Sequence, residues 1–309
     1  MNRNIAIIGA GLIGQSWAIT FARAGYNAAL FDTQAGAVEA AHDQIARSCG
    51  SLEELDLLSG QNGSEVCARI RSAASMEDAV DGVCYVQENT PENVEIKRGI
   101  FADLDRATPK DAVIASSTSA LMPSQFTEGL EGAHRCLVAH PLNPPHLIPA
   151  VELVPGPLTT SETMETTTRL MQAIRQTPIR TLREVEGFIM NRLQGAILDE
   201  AFALVDQGLA SPQDVDAAMR DGLARRWVFM GPFETIDLNA PGGVADFIDR
   251  YGPAYDRIGA HRPGRTDWSG PVSDSVIDAL QGYDRKTRSN WRDDRLAKLA
   301  KFVGEEKES

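Results

Sequence analysis

The stretch His140-Pro-Leu-Asn-Pro-Pro-His-Leu-Ile-Pro-Ala-Val-Glu152 sets an imidazole and a carboxylate twelve residues apart. An imidazole titrates near neutrality, so it can take a proton from a hydroxyl group. A carboxylate on its other ring nitrogen would fix the tautomer and stabilise the imidazolium that forms. The chemistry open to such a pair is removal of an alcohol proton, which is half of an oxidation. The other half needs a hydride acceptor and a fold that holds it beside the imidazole.

A place for that acceptor lies upstream. Asn4 to Ile8 is a short apolar β-branched run that ends in Gly9-Ala-Gly-Leu-Ile-Gly14, and a helical pattern follows through Trp17, Phe21 and Ala24. Strand, glycine turn and helix in this order form the fingerprint of a dinucleotide-binding βαβ unit. Gly9 permits the tight turn, Gly11 lets the backbone approach a pyrophosphate, and Gly14 lets helix and strand pack closely. The phosphates are expected on the helix N-terminus at Leu12 and Ile13, where unpaired N–H groups and the positive end of the helix dipole favour anions. A second strand, Asn27 to Asp32, ends in an acid placed to hold ribose hydroxyls. Its charge would repel a 2′-phosphate, so NAD is expected rather than NADP.

The remaining elements alternate. Residues 35–48 and 51–74 read as helices, broken by the soft turn Ser59-Gly-Gln-Asn-Gly63. Gly82 to Val86 reads as a strand, Glu92 to Ala107 as a helix with Ile96, Ile100 and Leu104 on one stripe, and Ala112 to Ala115 as a strand that ends in Ser116-Ser-Thr-Ser119. Leu137 to His140 repeats that arrangement. Ligands of open parallel sheets bind outside the carboxyl ends of strands, so Ser119 and His140 fall within reach of a cofactor's reactive ring. Four prolines between 141 and 149 fix a loop-like path, after which Val151 to Val154 returns as a strand carrying Glu152. A helix over 161–175 and a strand over 179–182 complete the α/β part. Beyond Gly187 the apolar spacing is helical, Ser211-Pro212 marks a helix start, 259–271 reads as a loop and 304–309 as a frayed tail. The expected architecture is α/β: a mainly parallel Rossmann-type domain over 1–186, followed by an all-α domain over 187–309.

Composition narrows the partners. The net charge of −13 argues against nucleic acid, whose binding needs a basic footprint. No apolar run approaches the roughly 20 residues of a membrane span. The N-terminal residues lack the pattern of a secretory signal, which makes the cytoplasm the expected location. Cys49, Cys67, Cys84 and Cys136 form no Cys-x-x-Cys and no clustered histidines accompany them, so no metal site is expected.

Together these residues resemble the 3-hydroxyacyl-CoA dehydrogenase superfamily over almost the whole chain. The resemblance rests on Gly9-x-Gly-x-x-Gly14 with Asp32, Pro91-Glu-Asn-Val-Glu-Ile-Lys97, Ser116 to Ser119, His140-Pro-Leu-Asn-Pro144 with Glu152, Gly187-Phe-Ile-Met-Asn-Arg192, and Met230-Gly-Pro-Phe-Glu234. Within it, Leu147-Ile-Pro-Ala-Val-Glu-Leu-Val-Pro155, Asp221-Gly222 with Arg226, and Trp291-Arg-Asp293 are most similar to the λ-crystallin and L-gulonate 3-dehydrogenase branch.

The resemblance implies that His140 is the base, Glu152 its partner, and Ser119 and Asn191 polar substrate positions, with Glu92 and Lys97 on the nicotinamide side of the cleft. It also implies a helical domain that dimerises, giving a homodimer. A small anionic 3-hydroxy acid would need a cation such as Arg226 or Lys97. His146 and Leu147, where the branch usually has aromatic residues, and Arg225 beside Arg226 fall near the expected substrate pocket. Alternatives are a short-chain 3-hydroxyacyl-CoA dehydrogenase, disfavoured by the acidic Ser51-Leu-Glu-Glu-Leu-Asp56, and an L-carnitine dehydrogenase with Trp227 against the ammonium. A crystallin-like NAD-binding structural protein is the non-enzymatic alternative.

Overall fold

Residues 2–260, 271–279 and 284–308 are described by a computed structural model of the chain. The chain divides into two compact units, Met1–Asn191 with Arg285–Ser309, and Arg192–Asp284.

In the first unit the strands are β1 (Asn4–Ile8), β2 (Asn27–Phe31), β3 (Ile70–Ser72), β4 (Tyr85–Glu88), β5 (Val113–Ser116), β6 (Cys136–Pro141), β7 (Ala150–Pro155) and β8 (Thr177–Arg180). They form one sheet in the order β3-β2-β1-β4-β5-β6-β7-β8. Neighbours are parallel except β6 and β7. Sequence order reverses direction between β1 and β4, and the glycine turn leaves β1 at that crevice, where open α/β sheets take their ligands.

The helices α1 (Leu12–Arg23), α2 (Ala37–Glu54), α3 (Gly63–Cys67), α4 (Met76–Val80), α5 (Val94–Ala107), α6 (Ser124–Thr127) and α7 (Ser161–Ala173) connect the strands. Side chains alternate across a strand, and both faces are covered, so the strands read as continuous apolar runs. Ile5, Ile7, Tyr85, Leu137 and Ala139 join the core under Trp17, Phe21 and Ile45. Ala6, Ile8, Val86, Ile114 and Val138 join the opposite core under Phe101, Leu104 and Phe126. Each fully buried Ile or Leu contributes about 2 kcal/mol.

The helices that follow are α8 (Met190–Asp206), α9 (Pro212–Ala217), a π-helical segment (Ala218–Leu223), α10 (Ala224–Trp227), α11 (Pro232–Leu238), α12 (Gly243–Ala260), α13 (Pro271–Ala279) and α14 (Arg285–Glu308). Ser211 caps α9 as expected, accepting from the Asp214 N–H, with Pro212 in the first turn. The α/β class and the all-helical continuation follow the sequence reading.

Several boundaries differ from it. The segment read as helices through residue 74 ends in β3, an edge strand with a single buried residue, Ile70. The strand expected over 82–86 starts at Tyr85, and the one expected over 179–182 starts at Thr177. Residues 304–308 belong to α14 rather than to a frayed end. That helix groups with the first unit, where Ala297 is buried in the larger core, so 187–309 is not one unit. Of the loop expected over 259–271, Gly259 and Ala260 close α12 and Pro271 opens α13; residues 261–270 lie outside the described residues.

Candidate active site

The proline-rich connection turns the chain back so that β7 runs antiparallel to β6, in a register that sets His140 directly opposite Glu152. The His140 Nδ1 lies 2.7 Å from Glu152 Oε2, with the imidazole 9% and the carboxylate 0% exposed. A carboxylate only accepts, so Nδ1 carries a proton, and in the neutral imidazole Nε2 is then the acceptor.

Glu152 has a second anchor that side-chain patterns do not reveal. Its Oε1 accepts the backbone N–H groups of Ile189, at 2.6 Å, and Met190, at 2.9 Å, where α8 begins. These donors are aimed by two consecutive left-handed residues, Gly187 (φ +75°) and Phe188 (φ +49°). Left-handed backbone is uncommon for a bulky residue and persists only where its surroundings enforce it. Phe188 is fully buried, and its ring centroid lies 5.7 Å from that of His140. The visible trace in the sequence was Gly187.

Ser119 and Asn191 are brought together. The Asn191 Nδ2 donates to the Ser119 carbonyl at 2.6 Å, so its amide positions the serine loop. Glu92 grips the same loop, accepting from the Thr118 hydroxyl at 2.5 Å and from the Ala120 N–H at 3.0 Å. Ser119 is held from both sides and is exposed.

Lys97 differs from the expectation of a cation open to substrate. Its ammonium is 2.9 Å from both oxygens of Glu88, with side-chain exposures of 1% and 0%. Glu88 also accepts from the Ser116 hydroxyl at 2.5 Å, from the Thr90 N–H at 2.6 Å and from the Thr90 hydroxyl. A buried ammonium already paired with a carboxylate has no charge to offer a ligand's carboxylate. Its effect is to tie α5 to the end of β4. A polar chain continues from there: Ser117 Oγ accepts from Trp17 Nε1 at 3.0 Å and Gln87 Nε2 at 2.7 Å, and donates to Asn89 Oδ1 at 2.7 Å.

The glycine turn fits a dinucleotide. Gly9 has φ +97°, and a Cβ there would sit 2.7 Å from the Asn89 carbonyl oxygen; one on Gly14 would sit 1.9 Å from the Gly9 oxygen. Nothing lies within 4 Å of a Cβ built on Gly11, which caps α1 without a side-chain acceptor. The first N–H groups of that helix, around Leu12 and Ile13, are therefore left for an anion. Asp32 braces the turn, accepting from the Ala10 N–H at 2.7 Å and the Gln34 N–H at 2.8 Å.

The description "3-hydroxyacyl-CoA dehydrogenase, NAD binding domain" matches residues 4–185, and "3-hydroxyacyl-CoA dehydrogenase, C-terminal domain" matches residues 187–264. The chain belongs to this family. It is an NAD-dependent dehydrogenase that acts on a hydroxyl group. A λ-crystallin homolog of Rattus norvegicus is 41% identical, covering 96% of this chain and 95% of its own. An L-carnitine dehydrogenase of a Pseudomonas species is 33% identical over 99% of this chain and 95% of its own. Among solved structures, an NAD-dependent dismutase, 5-formyl-3-hydroxy-2-methylpyridine 4-carboxylic acid 5-dehydrogenase, superposes with a TM-score of 0.83 at 28% identity, covering 97% of both chains.

Arg226 belongs to the second unit, on α10 directly after the π-helical segment, a geometry frequent at functional sites. It is exposed, and its neighbour Arg225 lies 3.9 Å from Asp221. His146 and Leu147 are placed differently from the expectation. The His146 carbonyl accepts from Arg23 Nη1 at 2.7 Å at the end of α1, and Leu147 is buried in the larger core, so these positions pack the first unit. Among the described residues no cluster of His, Cys, Asp or Glu could hold a metal, and no helix is long and apolar enough to cross a membrane.

Proposed function

We propose that the enzyme oxidises the 3-hydroxyl of a small free 3-hydroxy acid to the 3-keto acid, in the manner of an L-gulonate 3-dehydrogenase. The observation that carries the chemistry is the buried His140–Glu152 pair with its two additional backbone donors. NAD supplies the nicotinamide ring that accepts hydride. The Ser119 hydroxyl orients the substrate oxygen, and His140 Nε2 removes its proton. The positive charge that forms on the imidazole is met by a carboxylate held in place before the reaction begins, so little reorganisation accompanies proton transfer. Arg226 is assigned to the substrate carboxylate, as a guanidinium suited to paired hydrogen bonds.

The free acid is favoured by similarity to the λ-crystallin homolog along nearly the whole chain and by Glu53 and Glu54, exposed at the end of α2, where a CoA phosphate would meet acidic groups. Similarity to an L-carnitine dehydrogenase supports a second reading, in which Trp227, half-buried one residue after Arg226, faces a quaternary ammonium. A homodimer formed through the second unit completes the proposal.

The test is NADH production with L-gulonate, 3-hydroxybutyrate and L-carnitine, each acyl substrate run beside its CoA ester. Turnover with free hydroxy acids and none with esters is expected. A preference for esters removes the substrate assignment. No turnover with any substrate, despite NAD binding, favours a structural NAD-binding protein.

A further inference from the structure

A cavity of about 310 Å³ in the first unit is lined by residues absent from the chemistry above, among them Arg23, Gly25, Gln61, Ile174 and Arg175. Arg23 closes the last turn of α1, and Arg175 follows α7 with a left-handed φ of +60°. Two guanidinium groups therefore converge where two helices end.

Neither arginine is ion-paired with a carboxylate among the described residues. Burial, and then the neighbouring Arg175, lowers Arg23 to about 10, so it remains charged at neutral pH. The other titratable groups against Arg23 supply no anion. Burial pushes the Cys49 thiol up to about 12, and burial with Arg23 pushes the His146 imidazole down to about 4, so both are neutral. Arg23 is half-buried and Arg175 exposed, and the carbonyl groups at the two helix ends offset only part of their charge.

We propose that this cavity binds a small oxyanion between Arg23 and Arg175, at a site distinct from the glycine turn and the His140–Glu152 pair. A phosphate, sulfate or carboxylate group matches guanidinium forks in charge and in hydrogen-bond geometry. Its binding would relieve the repulsion between the arginines. Arg23 also holds the His146 carbonyl, in the loop that joins the strand of His140 to the strand of Glu152, so occupancy steadies that loop.

The test is calorimetric titration of inorganic sulfate into enzyme saturated with NAD, which occupies the pyrophosphate turn, at ionic strength held constant with chloride. One saturable site per chain is expected. Arg175→Asn, which tolerates the left-handed backbone, weakens binding at least about tenfold, while Arg175→Lys keeps most of it. Retained turnover in both variants verifies that they fold. A wild-type titration without saturable heat, or Arg175→Asn binding sulfate as wild type does, overturns the proposal. Competition by acetate identifies a carboxylate as occupant; failure of acetate to compete identifies a tetrahedral oxyanion.

Discussion

The two units treat their apolar side chains in opposite ways. In the first, the sheet is covered on both faces, and Ile5, Ile7, Trp17, Leu30 and Phe101 are 0% exposed. In the second, the buried residues among those described are small: Ala203, Thr235, Ala240 and Val272. Phe233 is 80%, Leu238 66% and Ile248 58% exposed. Large apolar side chains left exposed on a helical unit offer a candidate surface for association. The first unit holds the His140–Glu152 pair by internal packing, whereas the second presents the side chains that a partner copy is proposed to cover.

The largest effect expected lies wholly in the first unit. His140→Ala lowers kcat by about a thousandfold or more, without altering NAD affinity measured by fluorescence titration. Near-native turnover removes the base assignment. Glu152→Gln keeps the volume but places an N–H donor among N–H donors, and a fall in kcat of about a hundredfold is expected in steady-state kinetics. Should that variant also fail to fold, Glu152→Asp, with an intermediate rate, separates positioning from packing.

The second unit is tested by association and by binding. If the proposed dimer forms, Phe233→Asp combined with Ile248→Asp is expected to move it to monomer in sedimentation velocity, while far-UV circular dichroism stays helical. An unchanged dimer places the interface elsewhere. Arg226→Ala is expected to raise KM for the hydroxy acid about tenfold with little change in kcat, the signature of lost ground-state binding. An unchanged KM removes Arg226 from the substrate site.

The smallest effect concerns pH. Burial and Arg23 hold His146 neutral in the fold, with its value lowered from 6.5 to about 4, so the unfolded chain binds the additional proton between those limits. Stability therefore falls as pH drops from about 6.5 towards 4. His146→Phe removes that part of the slope in urea denaturation at stepped pH. Parallel slopes for the two proteins contradict the assignment.

What the sequence revealed follows from which signals side chains carry. Gly9, Gly14 and Asp32 were readable because their roles depend on residue type: a turn with φ +97°, a helix seated on the Gly9 oxygen, and a carboxylate at the end of β2. The proline run indicated a reversal, but only the β6–β7 register established that Glu152 faces His140. β3 escaped because Ile70 alone is buried and Arg71 and Ser72 face solvent, leaving no alternation to detect. α14 escaped for a similar reason: its charged sequence carries no continuous stripe, although Leu296 and Ala297 reach the first core. The anchors of Glu152 are peptide N–H groups, which every residue except proline possesses. Lys97 misled because a lysine's type does not disclose whether a carboxylate such as Glu88 already holds it.

Asp32, expected from the sequence to favour NAD by its charge, is also a structural brace. One oxygen holds the peptide of Ala10 inside the turn, and the other holds Gln34. Engineering the enzyme to accept a phosphorylated ribose by neutralising that acid would slacken the phosphate cradle in the same stroke. A successful redesign must install a new acceptor for the Ala10 amide before it alters the charge.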